Sequence, residues 1–389
     1  MGAGPGGLAF ALAMARQGRP PVIIEKDRFD FRAGAGIQLT PNGTAILNAL
    51  GLGDRLRDCS VSAAELEIWD YQGGSKLAAF PFKPVSGEWP GPYWLARRQD
   101  LLSALRDAAQ NLGVEILHGC RVRSVSVDLD GAECEFSDGS RREFDLVVGA
   151  DGINSVVRTA INGLCPGKFS GHVAWRSTVP ANANDSIPAS GNVRIVLAPR
   201  RHAVLYAVDR GRILNLVAVE ERKRWIGNTA RRKGHVETFR NVFGDFGKPT
   251  REIFEKFDSF EEWALYERRI APKSWKGRAV IIGDALHPML PFLGQGANAA
   301  LEDAWTLAFQ IAANEELESA FDGFHSMRKD RVAKVVARSR RQALAYHLTN
   351  PALRTAAHAS LRIANHFYPN ALCRSLKWLY GRDLIKESV

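Results

Sequence analysis

Gly2-Ala3-Gly4-Pro5-Gly6-Gly7, followed directly by the Ala- and Leu-rich run from Leu8 to Gln17, is the stretch on which the reading of this chain turns. The spacing is G-x-G-x-x-G at the opening of a helix that Gly18 stops. Glycines at these places permit a tight turn, close approach of backbone to a pyrophosphate and close packing of the helix, whose first N–H groups and dipole then face the phosphates. Val22-Ile23-Ile24 reads as a short buried strand ending in Glu25, 18 residues after Gly7, where a carboxylate can accept both hydroxyls of a ribose. The glycines alone would also make an ordinary loop; strand and acid in register point to dinucleotide binding. Such a motif normally follows the central strand of its sheet, about five or six residues long. The sequence starts at Met1, immediately before Gly2, so that strand is missing from it. The expectation is therefore a start placed too late or a truncated sequence, because a true gap would leave backbone groups unpaired on two neighbouring strands.

Two further segments share this style. Ala279-Val280-Ile281-Ile282 is a buried strand leading into Gly283-Asp284, then Ala285, His287-Pro288, Pro291 and Gly294-Gln295-Gly296-Ala297-Asn298. An Asp at the carboxyl end of a strand can accept hydrogen bonds from the ribityl hydroxyls of a flavin. The N–H groups opening the next helix can face the flavin pyrimidine and stabilise negative charge there. The plain alternative is a strand–loop–helix connection with Asp284 as a cap. Asp145-Leu146-Val147-Val148-Gly149-Ala150-Asp151-Gly152, with Ser155 and Arg158 after it, would alone be a routine turn. Between the other two it reads as one more phosphate-side loop.

Outward from these motifs the hydrophobic period changes along the chain. A helix begins near Pro41, with Ile46, Leu47, Leu50 and Leu52 as its apolar face, and Leu101 to Leu112 is helical again. Ala64 to Pro81, Arg121 to Phe136 and about Gly171 to Glu220 alternate as strands, the last with a turn at Asp209-Arg210-Gly211. From Asn298 onward the pattern is mainly helical. Buried strands followed by helices imply a parallel sheet, and alternating strands between them imply a separate antiparallel one. The expected architecture is α/β with an α+β insert. A discontinuous nucleotide-binding domain takes residues 1–67, 97–165 and 267–345; an inserted antiparallel-sheet substrate domain takes 68–96 and 166–266; C-terminal helices occupy 346–389.

Bulk properties narrow the function classes. A chain of 389 residues with 46% apolar and 24% charged residues is globular in composition, and no apolar run approaches the roughly 20 residues that span a bilayer. Integral membrane insertion is not expected, and the amino terminus does not read as a signal peptide. Cys59, Cys120, Cys134, Cys165 and Cys373 are scattered without a CxxC pair, which fits reduced thiols in the cytoplasm and offers no metal site. The net charge of +10 suits nucleic acid, an anionic membrane or anionic small molecules, but no nucleic-acid motif accompanies it.

GAGPGG, DLVVGADGINSVVR and GDALHPMLPFLGQGANAALEDA, in this order, resemble the three signature segments of the para-hydroxybenzoate hydroxylase family of flavoprotein monooxygenases, nearest its salicylate and hydroxynicotinate hydroxylase branch. Gly34-Ala35-Gly36-Ile37-Gln38 with Pro41-Asn42, Arg98-Gln99-Asp100-Leu101, Gly171 to Arg176 and Trp378-Leu379-Tyr380-Gly381 extend the likeness over nearly the whole chain. The resemblance implies a Rossmann-like FAD-binding domain. It implies FAD contacts at Gly2, Gly4, Gly7, Glu25, Arg32, Arg98, Asp151 and Asp284, with Gly296, Ala297 and Asn298 under the isoalloxazine and Pro291 near its oxygen-reacting face. It also implies NAD(P)H and O2 as co-substrates, and oxygen transfer to an electron-rich ring through a C4a-hydroperoxyflavin. A single GxGxxG is consistent with transient rather than resident NAD(P)H.

The substrate side is less determined. Trp175 and Arg176 lie on one strand of the insert, and His202, Val204 and Tyr206 alternate along another, so the last three share a face. If that face meets the flavin, His202 and Tyr206 can bind or deprotonate a ring hydroxyl; otherwise Tyr206 is core and His202 half-exposed. His287 reads equally well as a packing residue. Arg328, Lys329, Arg331, Lys334, Arg338, Arg340 and Arg341 read as a solvated helix face, or else as a patch for an anionic membrane. The expected partner is a small aromatic, with a monomer or homodimer and no nucleic acid. The rivals are a polyprenyl-phenol hydroxylase and a non-catalytic flavin-binding protein. A halogenase is disfavoured, because no WxWxIP segment occurs.

Overall fold

The structure is a computed structural model that describes residues 1–28, 35–73, 75–82, 87–182, 191–227, 229–368 and 370–387. Nucleotide-side strands are β1 (Ile23–Glu25), β2 (Gly36–Leu39), β3 (Val61–Ser62), and, beyond β4 (Glu65–Asp70) and β5 (Lys76–Pro81), β6 (Trp94–Arg97) and β7 (Ile116–His118). There follow β8 (Val122–Val127), β9 (Ala132–Phe136), β10 (Arg141–Phe144) and β11 (Val147–Gly149). The second body carries β12 (Lys168–Pro180), β13 (Val193–Ala198), β14 (Arg201–Val208), β15 (Ile213–Glu221), β16 (Arg231–Gly234) and β17 (Phe260–Glu267). The chain then returns through β18 (Trp275–Lys276) and β19 (Ala279–Ile281).

Parallel pairing, expected from the apolar strands, is present: β11 runs beside β19, and β1 beside β7, a strand not singled out from the sequence. They lie in two sheet fragments, bridged by the first two residues. The Met1 amino group donates to the Val148 carbonyl at 2.7 Å and the Ala150 N–H to the Met1 carbonyl at 2.9 Å, while the Gly2 N–H donates to the Ile24 carbonyl at 2.8 Å. Helix α1 (Pro5–Arg16) is buried from Pro5 to Ala15. It can be buried on all sides because its small residues admit close neighbours. A Cβ on Gly6 would sit 3.3 Å from that of Ala300.

The large sheet has eight strands in the order β16-β17-β12-β15-β14-β13-β4-β5. All its neighbours are antiparallel except β13 and β4, which are parallel, a departure from the wholly antiparallel insert read from the sequence. The expected domain boundaries also shift. β4 begins at Glu65, inside the segment 1–67, yet belongs to the large sheet; β6, whose first residues fall in 68–96, pairs with β2 in a small nucleotide-side sheet. Alternation along a single strand cannot tell which sheet will take it.

One face of the large sheet is covered by α6 (Val236–Phe243) and α7 (Lys248–Phe254), after α2 (Pro41–Ala49), α3 (Gly53–Cys59), α4 (Arg98–Asn111) and α5 (Val156–Asn162) have been spent on the first body. Trp175, Phe239, Phe243, Phe246 and Phe260 make a packed aromatic cluster there. The chain ends in α8 (Gly296–Ala313), the 30-residue α9 (Leu317–Tyr346), α10 (Pro351–Phe367) and three short helices. Among the described residues no helix is long and apolar enough to cross a membrane.

Candidate active site

A cavity of about 740 Å³ opens between the two bodies, a volume ordinary for a cofactor or small-molecule site. Its nucleotide-side wall is Gly4, Pro5 and Gly6, the strand from Ala35 to Gln38, Arg98, Ala150, Gly152, Asp284 and the helix start at Gly296 and Ala297. Its other wall is the face of the large sheet opposite the aromatic cluster, including Arg176, His202, Val204, Tyr206 and Val217.

The motif glycines play different parts. A Cβ on Gly2 (φ +94°) would overlap the Ala150 carbonyl, and one on Gly7 would overlap the carbonyl of Gly2; neither residue lines the cavity. Gly4 does line it, and a Cβ there would meet nothing within 4 Å, so its backbone faces open space of the kind a pyrophosphate needs. The Glu25 carboxylate accepts from the N–H of Ala3 at 2.6 Å and of Asp27 at 2.9 Å, holding the loop to the end of β1. Asp151 accepts from the Val156 N–H at 2.8 Å through one oxygen, and its other oxygen is buried without a partner. Asp284 is accessible on the cavity wall yet deep in the molecule; that desolvation raises its pKa, against the pull of His287 and Arg98. Arg98 faces it across the cavity, its own pKa lowered by desolvation. An unpartnered buried carboxylate oxygen, a bare glycine cradle and a carboxylate facing an open groove all fit the donors and phosphates of FAD.

Asn298 does not reach the cavity. Its amide accepts from the Thr40 N–H at 3.0 Å and donates to the Gln38 and Gly294 carbonyls at 2.9 and 2.8 Å, so the side chain pins β2 to the start of α8. Arg32 lies outside the described residues. His287 is wholly buried and bonded to Asp303 at 2.5 Å, which makes it a packing residue.

On the sheet wall the period-2 reading of β14 is matched: His202, Val204 and Tyr206 face the cavity, while Ala203 and Leu205 join the aromatic cluster behind. The same rule separates Trp175 from Arg176. Trp175 is turned away, wholly buried against Phe239 and Phe260 with its indole N–H on Glu220 at 3.0 Å; its assignment to the substrate is corrected. Arg176 points inward, its guanidinium 4.7 Å over the Trp263 ring and its Nε buried without a partner. Burial lowers its pKa, with Tyr206 the first of the groups opposing that. Burial likewise pushes the Tyr206 phenol up, keeping it protonated. Pro291 opens a short turn whose Phe292 packs 5.3 Å from the His202 ring.

Arg158, read from the sequence only as part of the segment after Asp151, gains a definite role, and Tyr93 and His347 join the site without having been read from the sequence at all. Arg158, fully buried, donates to the carbonyls of Ala285 at 3.1 Å and Arg269 at 2.5 Å and so braces the loop that carries Asp284. Tyr93 donates to Gln38 at 2.6 Å, beside the cavity. His347 bonds His202 at 2.8 Å and Glu221 at 3.1 Å. The partners of Tyr93 and His347 lie far off in sequence, and no local pattern announces these two residues. His172, Glu221 and His347 also bring three metal-ligating atoms within 4.8 Å of one another. Two of the three are already engaged with each other.

The FAD binding domain family matches residues 1–339. The chain is 34% identical to 3-amino-4-hydroxybenzoate 2-monooxygenase of Streptomyces cremeus over 98% of its own length and 94% of the relative's. It is 31% identical to 3-hydroxybenzoate 6-hydroxylase 1 of Aquipseudomonas alcaligenes over 99% and 98% of the two chains. Klebsiella pneumoniae HpxO, solved with FAD and uric acid, has the same fold: TM-score 0.84 at 22% identity, covering 97% of this chain and 95% of that one. The chain belongs to the FAD binding domain family and is an FAD-dependent monooxygenase of the aromatic hydroxylase type.

Proposed function

We propose that the protein uses NAD(P)H and O2 to hydroxylate a small hydroxyaromatic carboxylate of the hydroxybenzoate, salicylate or hydroxynicotinate kind. The observation that carries this reading is Arg176, a half-buried cation on the cavity wall whose Nε is buried without a partner and which makes no ion pair among the described residues. A carboxylate substrate supplies the missing charge, and a bidentate guanidinium contact orients the ring as well as binding it. The names of the relatives, both hydroxybenzoate oxygenases, support the same class.

FAD would be held by the turn of Gly2 and Gly7, by Gly4 at the pyrophosphate, by Glu25 at the ribose, by Asp284 and Arg98 along the ribityl chain, and by the backbone of Gly296 and Ala297 at the flavin ring. Asp151 belongs to the phosphate-side loop. Bound there, FAD supplies electron transfer from NAD(P)H and activation of O2. The protein's own groups do the rest. Arg176 anchors the acid, His202 takes the ring-hydroxyl proton, Tyr206 donates a hydrogen bond as a neutral phenol, and Pro291 with Phe292 walls out water.

A second reading has one observation in its favour. The cavity continues past Leu66, Ile68, Val193 and Ile195 to Leu361 and Leu376, an apolar extension that a prenyl-like tail on a phenol could fill.

Arg176→Ala separates the two. With 3-hydroxybenzoate the variant should raise KM about 10- to 100-fold, the loss of roughly 1.5–3 kcal/mol of charged hydrogen bonding, and divert NADH oxidation to peroxide. The neutral 3-hydroxybenzamide should be handled alike by both proteins. Equal kinetics on acid and amide, in wild type and variant, sinks the anionic-substrate reading. Faster turnover of an alkyl-tailed phenol favours the second.

A further inference from the structure

His202 is 2% exposed and lines the cavity at the start of β14. Its Nδ1 lies 2.8 Å from Nε2 of His347, which is 4% exposed at the end of α9, and Nδ1 of His347 lies 3.1 Å from Oε1 of Glu221, at the exposed end of β15. Chemistry fixes the direction of this chain. An ionised carboxylate can only accept, so His347 Nδ1 carries the hydrogen. A neutral His347 then has a bare Nε2, which must accept from His202 Nδ1, and a neutral His202 is left with a bare Nε2. Burial first, and neighbouring imidazoles second, hold both rings neutral: His347 is pushed down to about 3 and His202 falls well below its ordinary value. The His202 ring makes no second hydrogen bond among the described residues and lines the cavity. The result is a lone-pair base beside the cavity, its tautomer set by a carboxylate two hydrogen bonds away.

We propose that His202, His347 and Glu221 form a proton relay that carries the hydroxyl proton of the substrate from the cavity to bulk water, with His347 as the positioning residue. This rests on the reading of the cavity as a hydroxyaromatic site. The substrate O–H breaks as N–H forms at His202 Nε2; His202 Nδ1–H breaks as His347 Nε2–H forms; His347 Nδ1–H breaks as the Glu221 carboxyl is protonated and passes its proton to water. No electrons change hands, and the reverse sequence, returning a proton to the product oxygen, restores both tautomers. Without the relay an imidazolium would stay buried among the other imidazoles, at the cost of an unpaired charge in a dry site. The surroundings hold the rings in line. Phe292 packs on His202, His347 and His172, with centroids 5.3, 6.1 and 5.4 Å away. The backbone N–H of Arg200 donates to the His347 carbonyl, and that of Glu221 to the Arg200 carbonyl. The other titratable groups facing the chain are His172 and Tyr346 at the rings, and Arg200, 3.9 Å from Glu221.

The test uses the FAD-loaded enzyme and 4-hydroxy-3-nitrobenzoate, whose phenolate is coloured, mixed at a pH where the free probe is mostly the neutral phenol. Binding is followed by perturbation of flavin absorbance, ionisation by the phenolate band, and proton release by an indicator in lightly buffered solution. In the wild type ionisation and release should coincide. H347Q, which keeps polar contacts but passes no proton, should bind the probe normally and slow both on the order of tenfold or more. H347A should be slow likewise and recover with added imidazole, which a purely structural role would not give. E221Q changes an exposed side chain, folds whatever becomes of the His347 variants, and should also slow release. Wild-type release rates in both H347Q and E221Q, with the probe bound, overturn the relay alone. A wild-type enzyme that gives no flavin perturbation with the probe overturns the hydroxyaromatic reading, and the relay with it.

Discussion

Asp284 sits where β19 gives way to a turn, open to the cavity and facing Arg98, with no hydrogen bond among the described residues. If it accepts from the ribityl hydroxyls, Asp284→Ala should weaken FAD binding by roughly 1–3 kcal/mol, about 5- to 150-fold in Kd, read by titrating the apoprotein. The sign of the pH effect follows from desolvation. A carboxyl whose pKa burial has raised loses its charge at a higher pH than an ordinary Asp, near 3.9. FAD affinity should therefore fall on acidification above that ordinary range, and Asp284→Asn, which cannot titrate, should lack this limb. Affinity in Asp284→Ala equal to that of the wild type removes Asp284 from the cofactor site.

At the scale of elements, α8 and α9 are bolted by a buried ionic network that also fixes the Asp284 turn. Arg328 ion-pairs with Glu302 and Asp303 at 2.7 Å each; Arg331 pairs with Glu302 at 2.5 Å and donates to the Leu379 carbonyl at 2.8 Å. Asp303 accepts from His287 and from the Gly283 N–H. Burial alone would raise both carboxyls, but the cations outweigh it: Arg328 and Arg331 hold Glu302 down at about 2, and His287 and Arg328 depress Asp303. Arg328→Met leaves two carboxylates short of charge and should cost about 3–5 kcal/mol in denaturant unfolding. Because these pKa values are depressed on folding, their stabilisation is full above the unfolded carboxyl range near 4 and is lost as pH falls towards 2. Asp303→Asn should flatten that acid limb, and an unchanged limb counts against the network. The basic run from Arg328 to Arg341, read as a solvated face, is thus two things at once. Arg328 and Arg331 lie on the buried stripe with Phe324, Val332, Val335 and Ser339, while Lys329, Lys334, Arg338, Arg340 and Arg341 face solvent. The helical period was there to separate them, but charge count hid it, and the acidic partners sit a helix away. Alternation along β14 was legible for the converse reason: His202 and Tyr206 share a face by geometry alone, whichever way the sheet turns. His347 and Glu221 were not legible, since nothing short of the folded chain brings α9 to the ends of β14 and β15.

For the whole molecule, the decisive feature is that the cavity is the seam between two bodies through which the chain passes repeatedly. The large sheet has its own aromatic core behind Trp175 and needs nothing from the cavity to hold its strands. The nucleotide side is divided at its centre into two sheet fragments, β1-β7 and β11-β19-β18. The fragments carrying β1 and β11 meet across Met1 and Gly2, through backbone hydrogen bonds to Ile24, Val148 and Ala150, with the Gly-rich loop hanging from that joint. A ligand that binds only the folded state stabilises it by RT ln(1 + [L]/Kd), about 2.7 kcal/mol at a hundred times Kd. FAD spanning Gly4, Asp284 and Gly296 would place that energy across the joint between the two fragments. Removing FAD should therefore raise amide exchange around residues 1–7, 147–152 and 282–298, while β12, β14 and β15 keep their protection, because local opening follows the least-packed unit. Adding FAD back should restore protection in those three segments together and raise Tm. Loss of protection spread evenly over both sheets would mean that the molecule opens as one unit and that the joint at Met1 and Gly2 is no weaker than the rest.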